Sequence, residues 1–429
     1  MSIAAFRVRS FRFQWSADLL TSWAFEMETI ILGWYVMVHT GSVLLLTAFG
    51  SLQFLGTLVA PMFGVLGDRL GGRFMLCAMR AAYAALAALM MVLILAGLLS
   101  PAVVFAVATL AGIVRPNDLV MRNSLIGETI PPAHFMGALG LSRATMDSAR
   151  VGGALAGAGL STILGLASTY VVVTVFYLAG LALTLGVARR RPMPDPTAPA
   201  RVGVPRSSRW HELEAGVVHV LKTPELLAGM WLAFLVNLTA YPASSGLLPY
   251  VARSVYHVDA TGLGWLVASF ALGGLLASLT MVVTGGSRRP ERSTLVHTVI
   301  WYVLLLGFGH VRSMGVGVLT LLVAGFVQNV AMISMTATLL AAAGDGFRGR
   351  VMGVRTLAVY GMAPGLLASG FLIERIGYPL TITISAGLGL LFTILIGARW
   401  RASMWQPAGT ASVAAAAYDG GHLAGGKRP

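Results

Sequence analysis

The chain has 429 residues, of which 57% are hydrophobic and 11% are charged, and its mean hydropathy is +0.80. Soluble domains carry about 25% charged residues, so this composition excludes an ordinary soluble protein and indicates that lipid is the solvent. The formal net charge of +14 is spread along the chain rather than gathered in a basic domain. That distribution argues against a nucleic-acid partner and is typical of contact with anionic lipid headgroups.

Apolar runs recur along the whole sequence. About 20 apolar residues cross the roughly 30 Å hydrocarbon core of a bilayer, and the sequence predicts twelve such helices. The predicted fold is an all-α polytopic membrane protein whose twelve transmembrane helices form two pseudo-symmetric six-helix bundles, 12–188 and 225–400. The predicted spans, numbered in this order, are 12–38, 43–66, 74–98, 101–121, 137–163, 166–188, 225–252, 260–284, 294–310, 314–342, 351–373 and 378–400.

The segments outside the spans are polar or low in complexity. Residues 1–11 are the predicted N-terminal segment, and 401–429 are a tail predicted to be disordered. Residues 189–224, rich in Pro and Arg, are a predicted linker that cannot span the membrane and need not fold. Every Lys and Arg except Arg253, Arg312 and Arg375 falls on the side of the N-terminus. The positive-inside rule therefore predicts that both termini are cytoplasmic.

Internal repetition supports two similar halves. Arg143 matches Arg355 and Gly153 matches Gly365, both pairs being 212 residues apart in the fifth and eleventh spans. Two parallel six-helix repeats would place a substrate site near the midplane, between the halves.

The first span carries three acidic residues, Asp18, Glu26 and Glu28. A charge at bilayer depth costs at least about 2.5–3.5 kcal/mol, so each of them is a candidate for function. Glu26 and Glu28 are two residues apart and point to nearly opposite faces, so at most one faces a central cavity. We predict that at least one acid carries coupling protons, with a slight preference for Glu28. The alternative is a structural acid that is hydrogen-bonded or paired with an arginine.

Charged residues also interrupt the fourth and fifth spans. Arg143, Asp147 and Arg150 recur at i, i+4 and i+7 on one helix face, and Arg115 and Asp118 lie one turn apart. We expect an intramembrane charge network in which these residues pair across the contact between the two helices. An anion-attracting patch at the cytoplasmic mouth of the cavity is the alternative.

Polar uncharged residues of the seventh and tenth spans mark the second half of the predicted substrate cavity. Asn237 and Tyr241 follow a helical stripe, and Gln328 and Asn329 lie in the middle of the tenth span. Hydrogen bonds between helices explain such residues as well as substrate contact does. Aromatic and Met side chains would line the rest of the cavity for an amphiphilic ligand.

The turn between the second and third spans reads GVLGDRLGGRF, from Gly64 to Phe74. It resembles the signature loop of the major facilitator superfamily, Gly-x-Leu-x-Asp-Arg-x-Gly-Arg-Arg, with Gly72 in place of a basic residue. The resemblance implies that Asp68 docks on the start of the eleventh helix, near Arg350, and latches the halves together. A solvated charged turn is the alternative. The candidate gating residues are Gly64, Asp68, Arg69, Gly71 and Arg73.

The first span also resembles that of transporters related to the bacterial enterobactin exporter. Ser22 and Trp34 match that group, and Glu28 stands where Gln is usual. In the fifth span, Gly153-Ala154 replaces the Gly-Pro of the superfamily's antiporter signature. The resemblance covers most of residues 10–400. It implies proton-driven efflux of a small amphiphilic compound, drug-like or siderophore-like, by alternating access in the bacterial inner membrane.

Enzyme functions find no support in the sequence. Cys77 is the only cysteine, which excludes an internal disulfide or thiolate metal cluster. The stretch HELEAG has Ala215 where a zinc protease needs its second His. Lys222 and Lys427 are the only lysines, and neither lies in a P-loop. We expect no enzyme activity, no cofactor, no metal and no nucleic acid. The expected partners are a small-molecule substrate, protons and the lipid bilayer, and the chain is expected to be a monomer.

Two other functions stay open at this point. A transporter of the same fold that imports or exchanges a small metabolite would share these features. A non-transporting membrane sensor or scaffold would be expected to carry a soluble signalling domain, whereas this sequence offers a short linker and a short tail.

Overall fold

All regular elements of the described chain are helical, as expected. The computed structural model describes residues 6–57, 70–130, 132–187, 209–344 and 347–401. The helices are α1 (Arg9–Thr40), α2 (Val43–Leu52), α3 (Gly72–Leu95), α4 (Pro101–Val114), α5 (Asp118–Thr129), α6 (Pro132–Ile163), α7 (Gly165–Leu185), α8 (Arg209–Lys222), α9 (Pro224–Thr239), α10 (Ala260–Thr284), α11 (Pro290–Phe308), α12 (Met314–Ala343), α13 (Arg348–Leu357), α14 (Met362–Ile376) and α15 (Tyr378–Arg399).

Within these ranges, eight helical stretches are long and apolar enough to cross a membrane. They coincide with the third, fourth, sixth, seventh, eighth, tenth, eleventh and twelfth predicted spans. The other four predicted spans correspond to α1, α2, α6 and α11. Charged residues lower the hydropathy of α1, α6 and α11, and the second span is described only as far as Thr57. The polytopic all-α fold is confirmed.

The fourth predicted span is broken where its charged residues begin. Helix α4 ends at Val114, a 3-10 turn covers Arg115–Asn117, and α5 begins at Asp118. Pro116 has no N–H group, so it cannot continue the hydrogen-bond ladder of an α-helix. The break places Arg115 at the junction of two helical segments.

Two groups of helices bury separate apolar cores. The first core is formed by α1, α3, α4 and α7, with Tyr170 fully buried in it. The second is formed largely by α9 to α15, with Trp301 fully buried. Ala154 and Ala158 of α6 pack into this second core, so α6 is one of the helices through which the halves meet.

The two ends of the molecule differ. We call the end that holds Arg9, Gly72 and Arg399 the basic end, and the opposite end, which holds Ser42 and Glu374, the Glu374 end.

The halves are in contact from the Glu374 end inward. The Ser42 hydroxyl donates a hydrogen bond of 2.8 Å to the Glu374 carboxylate of α14. Further along, the Tyr360 hydroxyl donates to the backbone oxygen of Thr57 over 2.7 Å. At 1.5 Å per residue, these two contacts are roughly 20 Å apart along the second predicted span. Among the described residues, this seam between the halves is therefore closed at the Glu374 end.

The second part of the predicted linker does fold. Helix α8 covers Arg209–Lys222 and packs on the basic end of the second half. The His219 ring stacks on Phe347 with 4.2 Å between ring centroids, and Val220 is buried. Gly216 lies against Arg350 at the start of α13. This helix therefore occupies part of the surface near Arg350 on which Asp68 was expected to dock.

Glycines at matching positions bring equivalent helices together in the two halves. A Cβ atom on Gly153 of α6 would lie 3.2 Å from the Trp23 backbone oxygen of α1. A Cβ on Gly365 of α14 would lie 2.2 Å from the Leu238 backbone oxygen of α9. Helices α1 and α9 are the first spans of their halves. Gly153 and Gly365 therefore form an equivalent close helix crossing, one in each half.

Gly365→Ala should lower the stability of the protein by about 1–3 kcal/mol, because the added methyl group has no room against the α9 backbone. Thermal unfolding of the purified protein in detergent measures the change. Gly387→Ala in α15 is the matched control, since a Cβ there meets no atom within 4 Å. Equal melting temperatures for the two variants would contradict the proposed crossing.

Candidate substrate and proton-coupling site

Glu28 is buried inside the first half with a partner on each side of its carboxylate. It is 3% exposed and forms an ion pair with Arg115 at the break between α4 and α5. The Tyr170 hydroxyl donates to Oε1 over 3.1 Å, and the Tyr177 hydroxyl donates to Oε2 over 3.0 Å. The Arg115 guanidinium also lies over the Phe25 ring, 4.3 Å from its centroid. This carboxylate thus ties α1 to α7 and to the break after α4.

Asp18 belongs to a second buried cluster, nearer the basic end. Its carboxylate pairs with Arg80 of α3 and lies 3.5 Å from the Nε of Arg122 of α5. Arg122 also pairs with Asp118 one turn earlier and donates to the Ser22 hydroxyl over 2.8 Å. Two carboxylates and two guanidinium groups balance one another, so the cluster is neutral as a whole. A neutral, buried set of this kind is typical of structural pairing.

Glu26 points away from Glu28, as the sequence predicts. Its Cβ lies against Gly153 of α6, and its Oε1 is 3.6 Å from the Nε of Arg150. Two turns before Arg150, the Nε of Arg143 lies 3.3 Å from an Asp147 carboxylate oxygen. The Arg143 and Arg150 side chains are 56% and 52% exposed. Both lie within electrostatic range of Tyr241 of the second half, so they face the gap between the halves.

The second half contributes polar groups to the same gap. The Tyr241 hydroxyl accepts a 2.6 Å hydrogen bond from Gln328 of α12, and the Tyr241 ring meets Trp301 edge-on with centroids 5.2 Å apart. Arg355 of α13 donates to the Thr336 hydroxyl over 2.7 Å and interacts electrostatically with Arg143 and Tyr241. The gap therefore has a cationic and aromatic lining built from both halves.

The other two residues expected in the cavity are engaged elsewhere. Asn329 donates to the Ser278 hydroxyl of α10 over 2.8 Å and so joins two helices of the second half. The Asn237 amide donates to the Ala233 oxygen of its own helix over 2.8 Å. For these two positions the structure shows hydrogen bonding within the bundle.

The expected pairing across the fourth and fifth spans is wrong. Arg115 pairs with Glu28 and Asp118 with Arg122, whereas Arg143 and Arg150 face Asp147 and Glu26. The five residues thus belong to three separate sets. Charge and spacing alone do not show which way each helix is rotated, and that rotation decides the partners.

Sequence reasoning missed four members of these sets: Arg80, Arg122, Tyr170 and Tyr177. Arg80 could have been found, because it is the one charged residue in the long apolar run from Phe74 to Leu99, where an unpaired cation is costly. Arg122 stands four residues after Asp118, the spacing of a helical ion pair. The two tyrosines carried no comparable signal.

The gating stretch is described only in part. Gly64, Asp68 and Arg69 lie outside the described residues, so the latch stays a prediction. Gly71 has a φ of 86°, a left-handed conformation that favours glycine. Arg73 donates to the Leu185 backbone oxygen over 2.5 Å, which ties the start of α3 to the end of α7 within the first half.

A cavity of about 320 Å³ lies towards the Glu374 end, lined by Trp34, His39, Thr162 and Asp259 among others. Asp259 there caps the start of α10 by accepting from the Gly262 N–H over 3.0 Å. This cavity is separate from the cationic gap around Arg355.

The sequence matches the profile of the Major Facilitator Superfamily over residues 15–365. It is 29% identical over 249 residues to a chloramphenicol resistance protein of Streptomyces lividans, a match that covers 57% of this chain and 58% of that protein. Its fold is similar to that of a mutant of the nucleoside transporter NupG, with a TM-score of 0.69 at 14% identity over 93% of this chain and all of the other. It is also similar to a bacterial homolog of the human lysosomal transporter Spinster, with a TM-score of 0.68 at 12% identity over 93% of this chain and 99% of that chain.

Asp18→Asn should destabilise the protein by about 3–5 kcal/mol, because it leaves the buried Arg80 without its counter-charge. Thermal or denaturant unfolding in detergent measures this loss. Asp259→Asn is the matched control: it is exposed, and Asn caps a helix as well as Asp does, so its effect should stay within roughly 0.5 kcal/mol. If both variants unfold at the parental midpoint, the cluster around Asp18 contributes no net stability.

Proposed function

Since this chain belongs to the Major Facilitator Superfamily, whose members are secondary transporters of small molecules and not enzymes, we propose that it exports a small amphiphilic compound in exchange for protons. The observation that carries the proposal is the buried Glu28–Arg115 pair at the break between α4 and α5.

The proposed orientation places the basic end in the cytoplasm of a bacterial cell, with the protein in the inner membrane. The distribution of Lys and Arg supports it through the positive-inside rule. In this orientation the contacts of Ser42 with Glu374 and of Tyr360 with Thr57 close the outer side of the transporter. The described seam then corresponds to an inward-facing or occluded state. An exporter takes up its substrate in the inward-facing state.

The proposed coupling step is protonation of Glu28. A proton on this carboxylate removes the charge that holds Arg115, which leaves a buried guanidinium without its partner and favours a rearrangement. Arg115 sits where the helix is already interrupted, at the 3-10 turn Arg115–Asn117, so a change of direction there breaks no continuous α-helical hydrogen-bond ladder. Protonation would thereby shift the equilibrium between the inward-open and outward-open states.

One observation supports export as the direction. The chain is similar to a protein named for chloramphenicol resistance, and resistance of that kind is what removal of a compound from the cell produces. In the fifth span Gly153 keeps the close approach to α1, but Ala154 stands where the antiporter signature has Pro, so this position adds no support for export. A compound library that includes chloramphenicol is therefore the first screen for a substrate.

Glu28→Gln should abolish proton-driven transport in proteoliposomes while substrate binding is largely retained. Gln keeps the length of the side chain but cannot exchange a proton, so a gradient no longer changes the charge opposite Arg115. Glu225→Gln, at the start of α9, is the control with the same chemical change and should transport at the parental rate. A Glu28→Gln protein that pumps at the parental rate would remove Glu28 from the coupling mechanism.

Expression of the protein should lower the cellular accumulation of a substrate identified in the screen, and a protonophore should erase the difference. The reason is that the proton gradient supplies the energy for movement out of the cell. The measurement is uptake of the labelled compound with and without protonophore, compared with the Glu28→Gln variant. Accumulation that rises with expression and survives the protonophore would show import or facilitated exchange instead.

A further inference from the structure

The gap between the halves holds more positive than negative charge. Among the described side chains gathered there, Arg143, Arg150 and Arg355 are cationic, and Glu26 and Asp147 are anionic. Three guanidinium groups against two carboxylates leave one positive charge in excess. Arginines at bilayer depth are costly and usually face a partner or a substrate pathway.

Arg355 is the source of the excess. Arg143 has Asp147 at 3.3 Å and Arg150 has Glu26 at 3.6 Å, whereas Arg355 pairs with no carboxylate in the part of the chain that the structure describes. Its guanidinium donates a hydrogen bond of 2.7 Å to the neutral Thr336 hydroxyl. Among the described charged side chains, Arg143 acts on it, and this like charge repels it. Arg143 and Arg355 are also the pair related by the internal repeat, so the two halves present the same cation to one gap.

The surroundings of Arg355 suit a ligand that is partly apolar. The partly buried Tyr241 lies near it, backed edge-on by the fully buried Trp301, and the partly buried Met332 of α12 packs against the same core. Gln328 fixes the Tyr241 hydroxyl, which leaves the aromatic ring available for contact. Aromatic and thioether side chains accommodate flat or irregular apolar groups.

We propose that the transported compound carries an anionic oxygen group, such as a carboxylate, phenolate, sulfate or phosphate, joined to an aromatic or aliphatic body. The anionic group binds Arg355, with Arg143 and Arg150 adding to the attraction, and the body packs on Tyr241 and Met332. A guanidinium suits this role because its planar donors match two oxygens of an anion at once. The inference rests on the proposed function only in taking the protein to be a transporter, and it holds for either direction of transport.

Paired aromatic acids and amides test the charge requirement. The probes are 1-naphthoic acid, biphenyl-4-carboxylic acid and pyrene-1-carboxylic acid, each with its primary amide, which keeps the shape and removes the charge. Apparent affinities come from ligand-induced shifts in thermal unfolding of the full-length protein in a maltoside detergent. At least one acid should bind about tenfold or more tightly than its amide, the ratio expected for hydrogen bonds to a charged partner.

Substitutions at two residues, Arg355 and Glu26, should change this preference in opposite directions. Arg355→Gln removes the unpaired cation and should abolish the preference for the acid, and Arg355→Lys should keep part of it. Glu26→Gln releases Arg150 from its carboxylate and should strengthen binding of the acid. Arg312→Gln, an exposed arginine between α11 and α12, is the matched control and should leave the preference unchanged. A general loss of folding would weaken every probe alike, so opposite shifts identify electrostatic recognition.

Three results would overturn the proposal. They are amides that bind as tightly as acids, a preference that survives Arg355→Gln, and failure of every acid to stabilise the protein. Stabilisation by phosphatidylglycerol micelles but by none of the acids would assign the cationic gap to a lipid headgroup and also contradict a substrate role. These measurements use no proton gradient, so they stand or fall separately from the transport assays of the Glu28→Gln protein.

Discussion

The constraint on which this structure depends is that an ionised side chain in the bilayer must have a partner. Helix α1 carries three carboxylates, and each lies against an arginine from a different part of the first half: Asp18 against Arg80, Glu26 against Arg150 and Glu28 against Arg115. A charge without such a partner costs several kcal/mol at this depth. The same pairs therefore decide which faces of α3, α6 and the α4–α5 break can turn towards α1. The first half is organised around one helix by its charges as much as by its apolar core.

The described interior of the second half depends less on ion pairs than that of the first half does. Its described interior contacts are mainly apolar and hydrogen-bonded, as in the Thr239–Tyr302 and Gln328–Tyr241 pairs. Between the halves, α6 packs along α10 and α2 packs along α14, with small residues at the contacts, as where Gly264 meets Ala158 and Gly370 meets Thr47. Ion pairs and hydrogen bonds within each bundle, and surfaces of small residues between the bundles, suit alternating access by rigid-body rocking.

The sequence was sufficient for the fold because the relevant signal is long and redundant. Each apolar run contributes about 20 residues, and an error of a few residues at an end changes nothing. The candidate site depends on finer information. Glu26 and Glu28 point to different faces because an α-helix turns by about 100° per residue, and the sequence predicts this divergence. The rotation of α1 and α4 about their axes decides that Glu28 meets Arg115 and not a residue of α6. A single sequence does not specify this rotation. Helix α8 was missed for a related reason, because the prolines before it dominate the composition of the linker.

Glu26 and Glu28 lie on opposite faces of α1. Protonation of each would affect the binding of an anionic ligand differently. Protonation of Glu26 would free Arg150 and raise the positive charge of the gap, so protons and anions would bind there cooperatively. Coupling is reciprocal, and cooperative binding of this kind drives both species in the same direction. Antiport of protons and substrate requires that protonation favour the substrate-free state of the transporter. Glu28 meets that need, because its carboxylate faces Tyr170 and Tyr177 within the first half and acts on the α4–α5 break rather than on the charge of the gap. If the ligand is anionic and transport is export, the charge balance of the gap thus favours Glu28 over Glu26 as the coupling acid.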